Sequence, residues 1–139
     1  MQTYIRSKSI GSLTKQETSE CRRLTMGSIG EMQKNLDRER RHSKPPFTTF
    51  MPATHEWARA VMIRSKADGK LLGWALIIYV SGEPSAHFYV HKDCRRRGLG
   101  RSLHRHVERF GPDAYCFPPG RRSRAFFRAV GACIDPEYV

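Results

Sequence analysis

Six consecutive residues, Arg95 to Gly100 (RRRGLG), combine arginine and glycine in a pattern that suits phosphate binding. Glycine lets the backbone approach an anion closely, because it has no Cβ and tolerates unusual dihedral angles. Arginine adds charge-assisted hydrogen bonds to phosphate oxygens. The residue types therefore predict a seat for an anionic group, for which a pyrophosphate is the best candidate.

The residues on either side predict a strand before this segment and a helix after it. Ala86 to Val90 are short, aromatic or β-branched, which suits a strand. The following apolar residues recur at the spacing of one helix face: Leu99, Leu103, Val107 and Phe110. A helix that begins there directs its free N–H groups and its positive dipole end at the turn, which strengthens the prediction of an anion seat.

The strand, the turn Arg95-x-x-Gly98-x-Gly100 and the amphipathic helix together resemble the coenzyme-A signature of the GNAT N-acetyltransferase superfamily. The alternatives are a basic turn that binds nothing and a Rossmann-like dinucleotide loop. The Rossmann pattern fits poorly, because Arg95 occupies the place of its first glycine and no strand with a terminal acid follows about 20 residues later.

The remaining segments follow the element order of this family. Capping-box patterns at Thr14-x-x-Glu17 and Ser28-x-x-Glu31 predict two helices after a first strand at 2–7. Strands are predicted at 57–64, 71–80, 86–90, 113–117 and 132–134, and further helices at 99–110 and 121–130. The expected fold class is α/β, with a central mixed, mostly antiparallel sheet, a splayed parallel strand pair and about four flanking helices. We expect one GNAT-like domain over 1–139, with parts at 1–46, 57–110 and 111–139.

The resemblance implies acetyl-CoA as cosubstrate and assigns the residues that bind it. The splayed strands map onto Ala86–Val90 and Asp113–Phe117, and the pantetheine arm would lie between them. The pyrophosphate would sit on the turn and on the start of the helix. The residues assigned to the coenzyme are Phe88, Val90, Arg95, Arg96, Arg97, Gly98, Leu99, Gly100, Arg101, Ser102 and Phe126.

The catalytic residues are less clearly indicated, because the chain departs from the family pattern in the last helix. Family members carry a tyrosine there that protonates the leaving thiolate, and Phe127 occupies its place. Two catalytic candidates are Tyr115, a possible acid, and His87, which as an ordinary histidine titrates near neutrality. Both also have purely structural interpretations. Glu83, Glu56 and His55 flank the expected acceptor cleft.

No metal site is predicted, and the cysteine pattern indicates reduced thiols. His87 and His91 would lie roughly 13 Å apart on one strand face, too far for a shared ion. The cysteines are widely spaced, without a CxxC pair, at Cys21, Cys94, Cys116 and Cys133.

The sequence has no signal-peptide core and no apolar run of membrane length. Together with the reduced thiols, this leads us to expect a cytoplasmic protein that does not contact the membrane.

The composition is strongly basic, with 25 Lys and Arg against 13 Asp and Glu, a net charge of +12. Such a field attracts polyanions, although it also serves solubility. The first hypothesis is an N-acetyltransferase that acts on a primary amine of an anionic or polyanion-bound acceptor, suggested by Arg59, Arg64 and the arginines of 121–128. The alternative is a GNAT-fold module that binds nucleic acid or an acidic protein without efficient catalysis. Whether the protein dimerises is left open.

Overall fold

A six-stranded sheet with helices on both faces forms the framework of the protein. The computed structural model describes residues 2–38, 58–80, 83–110, 115–116 and 121–134. The strands are β1 (Thr3–Ser9), β2 (Ala58–Ser65), β3 (Leu71–Val80), β4 (Glu83–Val90), β5 (Tyr115–Cys116) and β6 (Cys133–Ile134). The helices are α1 (Lys15–Arg38), α2 (Leu99–Phe110) and α3 (Arg121–Val130), and short 3-10 turns cover Ile10–Ser12 and Lys92–Cys94.

The strands follow one another across the sheet in chain order. β1 to β4 pair antiparallel, with registers such as Ile5↔Ile63 and Ala75↔Phe88, which confirms the α/β class with a mostly antiparallel sheet. β5 joins β4 in parallel at Ser85↔Tyr115, and β6 joins β5 in parallel. The expected splaying of β4 from β5 involves positions after Cys116, outside the described residues, and stays a prediction.

One continuous helix stands where the sequence predicted two. The first capping box is confirmed, since the Thr14 amide donates to the Glu17 carboxylate (2.9 Å) and the Glu17 amide donates to the Thr14 hydroxyl (3.1 Å). The second pattern, Ser28-x-x-Glu31, lies within α1, and the prediction of a helix start there is wrong. The preceding turn is already helical, so its carbonyls accept the amide hydrogens that a cap would otherwise satisfy. Three helices, rather than about four, therefore flank the sheet in the described part of the chain.

Apolar side chains cover both faces of the sheet. On one face, Leu103 and Val107 of α2 and Phe127 of α3 pack with the sheet residues Val61, Ile63, Ala75 and Ile77. On the other face, Cys21 and Leu24 of α1 pack with Met62, Trp74, Leu76 and Ile78. β3 contributes to both clusters, which is why its sequence is apolar without alternation.

Gly73 marks an irregularity in β3. The pairing with β2 shifts between Ile63, which faces Gly73, and Arg64, which faces Leu71. A Cβ on Gly73 would lie 3.1 Å from the Tyr89 carbonyl oxygen and 3.3 Å from Leu103. The missing side chain thus lets β4 and α2 approach the bulge closely.

None of the helices in the described ranges is long and apolar enough to cross a membrane.

Candidate functional site

The turn between β4 and α2 has the backbone shape of an anion seat. Arg96 adopts φ 62° and Gly98 adopts φ 80°, so two of three consecutive residues lie in the left-handed region. That conformation is disfavoured for arginine, and such strain is concentrated at functional sites. Two hydrogen bonds anchor the turn to the sheet: the His91 amide donates to the Leu72 carbonyl (2.8 Å), and Arg95 Nε donates to the Val90 carbonyl (3.3 Å).

Helix α2 begins at Leu99, so Gly98 is its N-cap. The Ser102 amide and hydroxyl both donate to the Gly98 carbonyl, at 3.0 and 3.1 Å. The amides of the first helical turn have no acceptor within the helix, because that turn has no preceding carbonyls. The space beside Gly98 is open, since a Cβ added there would meet no heavy atom within 4 Å. The helix therefore presents donors and a positive dipole end at an open surface.

The side chains around this seat divide into exposed cations and a buried anchor. Leu99 is 6% exposed and belongs to the core, so it offers the seat its backbone amide alone. Arg95, Arg96, Arg97 and Arg101 are exposed, and Gly100 and Ser102 are half-buried. The structure therefore brings together Arg95 to Ser102, all of the residues that the sequence assigned to the pyrophosphate. Their role as coenzyme ligands remains a prediction.

Gly100 is the point where α2 meets α3. A Cβ on Gly100 would lie 3.0 Å from two ring carbons of Phe126. The Phe126 ring packs edge-on against Phe127 (5.1 Å between centroids) and against Phe88 of β4 (6.5 Å). The aromatic cluster links the last helix to the strand assigned to the pantetheine arm, and Phe127 is 7% exposed within it.

Replacing Gly100 by valine should lower the free energy of unfolding by about 1–3 kcal/mol, because the branched side chain would overlap the Phe126 ring. Urea unfolding of the native protein, Gly100→Val, Phe126→Ala and the double variant measures this effect. In the Phe126→Ala background the ring is gone, so the same valine should cost less. An equal cost in both backgrounds would show that the contact does not limit the size of residue 100.

His87 lies on the opposite face of β4 from Phe88. Its neighbour across the sheet is Leu76, which packs in the cluster that α1 covers, and its Nε2 lies 3.4 Å from the Ser85 hydroxyl. The side chain is buried, and burial lowers the pKa of His87 to about 3. The imidazole is therefore neutral at physiological pH and a weak base as it stands.

Tyr115 lies on β5, where it pairs in register with Ser85 of β4. His87 follows Ser85 by two residues, so both catalytic candidates lie on neighbouring strands in the same part of the sheet. Glu83 is the first residue of β4, whereas His55 and Glu56 lie outside the described residues. The catalytic roles of Tyr115 and His87 remain predictions.

Sequence reasoning did not single out His104, which the structure places beside the aromatic cluster. Its ring lies 5.9 Å from that of Phe88, and its Nδ1 lies 2.9 Å from the Glu108 carboxylate one turn later. Burial lowers the pKa of His104, while the Glu108 charge acts in the opposite direction. The His-x-x-x-Glu spacing in a helix was the available signal for this pair.

Two arginines that suggested an anionic acceptor have partners within the protein. Arg64 donates two hydrogen bonds to the Glu20 carboxylate, at 2.8 and 3.0 Å, and a third to the Gly69 carbonyl. The hydrogen bonds to Glu20 raise the pKa of Arg64. Arg59 lies over the Phe110 ring, 4.7 Å from its centroid. Arg64 thus ties α1 to β2, and neither residue needs an external anion to explain its place.

Cysteines and acidic side chains do not assemble a metal centre in the described part of the chain, where no three metal-ligating groups come together. Cys21 and Cys94 are buried free thiols. Burial raises the pKa of Cys21 to about 12, so it stays protonated and packs as an apolar residue.

Comparisons with known proteins identify the family. The chain belongs to the acetyltransferase (GNAT) family, whose profile it matches over residues 29–132. Among curated proteins, none matches the chain.

Solved structures with TM-scores above 0.5 share the fold at low sequence identity. An aminoglycoside acetyltransferase from an uncultured soil metagenomic sample, solved with sisomicin, has a TM-score of 0.62 and 13% identity, over 92% of this chain and 86% of the other. YhhK of Escherichia coli, solved bound to coenzyme A, has a TM-score of 0.52 and 20% identity, over 94% and 91%. The ribosomal-protein-S18-alanine N-acetyltransferase of Escherichia coli has a TM-score of 0.46 and 15% identity over 78% of this chain, which spans 59% of that enzyme.

Proposed function

We propose that this protein transfers an acetyl group from acetyl-CoA to a primary amine. The observation that carries the proposal is the turn between β4 and α2, where Arg96 and Gly98 adopt left-handed conformations in front of a helix start surrounded by exposed arginines. A pyrophosphate is an anion of the right charge and size for such a nest. Membership of a family of acetyltransferases supports coenzyme A as the ligand of this seat.

In the proposed reaction the amine nitrogen attacks the thioester carbonyl directly. A C–N bond forms, the C–S bond breaks, the ammonium proton goes to a base, and coenzyme A leaves as the thiolate or thiol. Backbone amides of Phe88 and Val90 on β4 would hold the pantetheine arm and the carbonyl oxygen. One such donor, placed where the oxyanion develops, contributes roughly 3–4 kcal/mol to transition-state stabilisation.

The proton-transfer roles are assigned from the chemistry of the side chains near the proposed reaction site. Phe127 carries no acidic proton, so it cannot protonate the thiolate, and Tyr115 on the neighbouring strand is our candidate for that step. A thiolate also leaves without protonation more readily than an alkoxide, because thiols are much stronger acids than alcohols. His87 is neutral and weakly basic. It is therefore better suited to accept a hydrogen bond from the incoming amine than to act as a strong base.

The test of the proposal compares two glycines with the same backbone geometry. Gly98 and Gly69 have φ 80° and 74°, and neither has a heavy atom within 4 Å of an added Cβ. Gly98 lies in the seat, whereas Gly69 lies in the turn between β2 and β3. Glutamate at either position meets the same backbone strain of about 1–2 kcal/mol, but only at position 98 does it place a carboxylate against the pyrophosphate.

Calorimetric titration of acetyl-CoA should show binding to the native protein and to Gly69→Glu, and binding about 100-fold weaker or undetectable for Gly98→Glu, since opposed like charges cost several kcal/mol. Acetyl transfer to a panel of amines then identifies the acceptor class. Absence of binding to the native protein would refute the proposal, and equal affinities of Gly98→Glu and Gly69→Glu for acetyl-CoA would place the coenzyme outside this turn.

A further inference from the structure

The basic charge of the chain is concentrated in one part of the fold. Residues 91–110, the turn and α2, carry seven Lys and Arg against two Asp and Glu, and residues 121–134, α3 and the start of β6, carry four against none. These two segments account for +9 of the net +12. Both helices cover the same face of the sheet, so the exposed arginines of α2 and Arg128 of α3 lie on one side of the protein.

Helix α2 arranges its arginines along its outer face. Arg101, Arg105 and Arg109 follow one another at intervals of four residues, and all three are exposed. Four helical residues advance about 6 Å along the axis, and the three side chains therefore form a ridge about 12 Å long. Arg128 of α3 is likewise exposed. The opposite face of α2 is occupied by Leu99, Leu103 and Val107, which pack in the core.

Carboxylates do not neutralise this ridge in the described part of the chain. Glu108, the one acidic residue of α2, has its carboxylate 2.9 Å from His104. Ion pairs between described residues join Lys8 to Glu17 and Arg64 to Glu20, and His91 and His104 lie close to Asp93 and Glu108. None of these contacts uses Arg101, Arg105 or Arg109. On the α1 side, by contrast, Glu17 and Glu20 are engaged with Lys8 and Arg64.

We infer that the outer face of α2, together with Arg128 of α3, is a docking surface for a nucleic-acid duplex, which it contacts through the phosphodiester backbone. A row of cations at regular intervals suits the regular row of phosphates along a nucleic-acid strand. Unpaired bases would require exposed aromatic side chains to stack on. Among the residues whose exposure the structure describes, the one exposed large apolar side chain is Met26, on α1. The arrangement therefore favours a duplex over a single strand.

This surface does not depend on acetyl transfer. Arg105 and Arg109 lie one and two turns beyond the residues assigned to the pyrophosphate, so both can be changed without altering the coenzyme seat. Removing them tests the surface alone, whatever the outcome of the coenzyme titration.

The experiment measures binding of a fluorescently labelled, mixed-sequence RNA duplex by anisotropy, at salt concentrations between about 50 and 200 mM. The native protein is compared with Arg105→Gln/Arg109→Gln and with a control, Lys15→Gln/Arg23→Gln, which removes the same charge from exposed positions of α1. Each phosphate contact contributes about 0.9 to the slope of log affinity against log salt. The magnitude of that slope should therefore be smaller by about 2 in the α2 variant than in the native protein. The control variant should have the native slope.

Urea unfolding of the α2 variant should return a midpoint close to that of the native protein, which excludes general damage to the fold. Absence of salt-dependent duplex binding by the native protein would overturn the inference. An equal loss in both variants would also overturn it, because net charge alone would then explain binding. Binding of the corresponding single strand as tight as or tighter than that of the duplex would overturn it too. The same holds if polyglutamate competes for the protein as effectively as unlabelled duplex does.

Discussion

Acid should destabilise this protein through His87, by about 1.4 kcal/mol for each pH unit between about 6.5 and 3. The side chain is buried, and its folded-state pKa of about 3 lies well below the ordinary value of 6.5. In this range the unfolded chain binds a proton at His87 that the folded protein does not bind. The free energy of unfolding therefore rises with pH up to about 6.5 and is lost progressively as the pH falls.

Urea unfolding at pH 7, 5.5 and 4.5 measures this effect, with His87→Gln as the non-titrating reference. The native protein should lose about 2–3 kcal/mol more than the variant between pH 7 and 4.5. His104, whose pKa is also lowered by burial, contributes in the same direction in both proteins, so the difference isolates His87. Parallel pH curves for the two proteins would show that His87 is accessible to protons in the folded state.

The protonation state of His87 also bears on catalysis. A buried neutral His87 does not titrate between pH 5 and 8 in the free protein, so the pH profile of kcat/KM should have the same shape for the native protein and His87→Gln. A step near pH 6.5 that disappears in the variant would instead identify His87 as the general base.

Replacing Trp74 by alanine should lower the free energy of unfolding by about 3–5 kcal/mol. Trp74 is 0% exposed and is the largest fully buried side chain in the described part of the chain. Its ring stacks on Tyr89 of β4 at 5.7 Å, and its Nε1 donates to the Thr25 hydroxyl of α1 at 2.9 Å. The residue thus joins β3, β4 and α1, and its removal leaves a cavity that the paired strands cannot close.

Two smaller substitutions separate the contributions. Trp74→Phe retains most of the apolar volume and should cost less than Trp74→Ala, while Thr25→Val keeps the indole but leaves its N–H without this acceptor, at a cost of about 1–3 kcal/mol. Thermal or urea unfolding of the three variants ranks their losses in free energy of unfolding. A loss of less than about 1 kcal/mol for Trp74→Ala would mean that α1 repacks onto the sheet without it.

Local signals in the sequence were sufficient for the elements that carry the site. The turn residues, the helix from Leu99 to Phe110 and the helix from Arg121 to Val130 lie where the patterns predicted them. Glycine also ends the last helix: the φ of Gly131 is 74°, and the Ala132 amide donates to the Phe127 carbonyl at 2.9 Å. These features depend on residues a few positions apart, so the sequence determines them directly.

Tertiary structure decided what depends on contacts between distant residues. The capping pattern at Ser28 is indistinguishable from a helix start until the preceding turn is known to be helical. β4 begins at Glu83, earlier than its composition indicated, because its pairing with β3 continues to Val80. His87 looked like an ordinary titratable histidine, and only the packing of Leu76 and its neighbours beneath α1 makes it buried and weakly basic. Burial and pairing sum contributions from the whole fold, so residue type and spacing determine which side chains can do chemistry, whereas three-dimensional packing decides their protonation and partners.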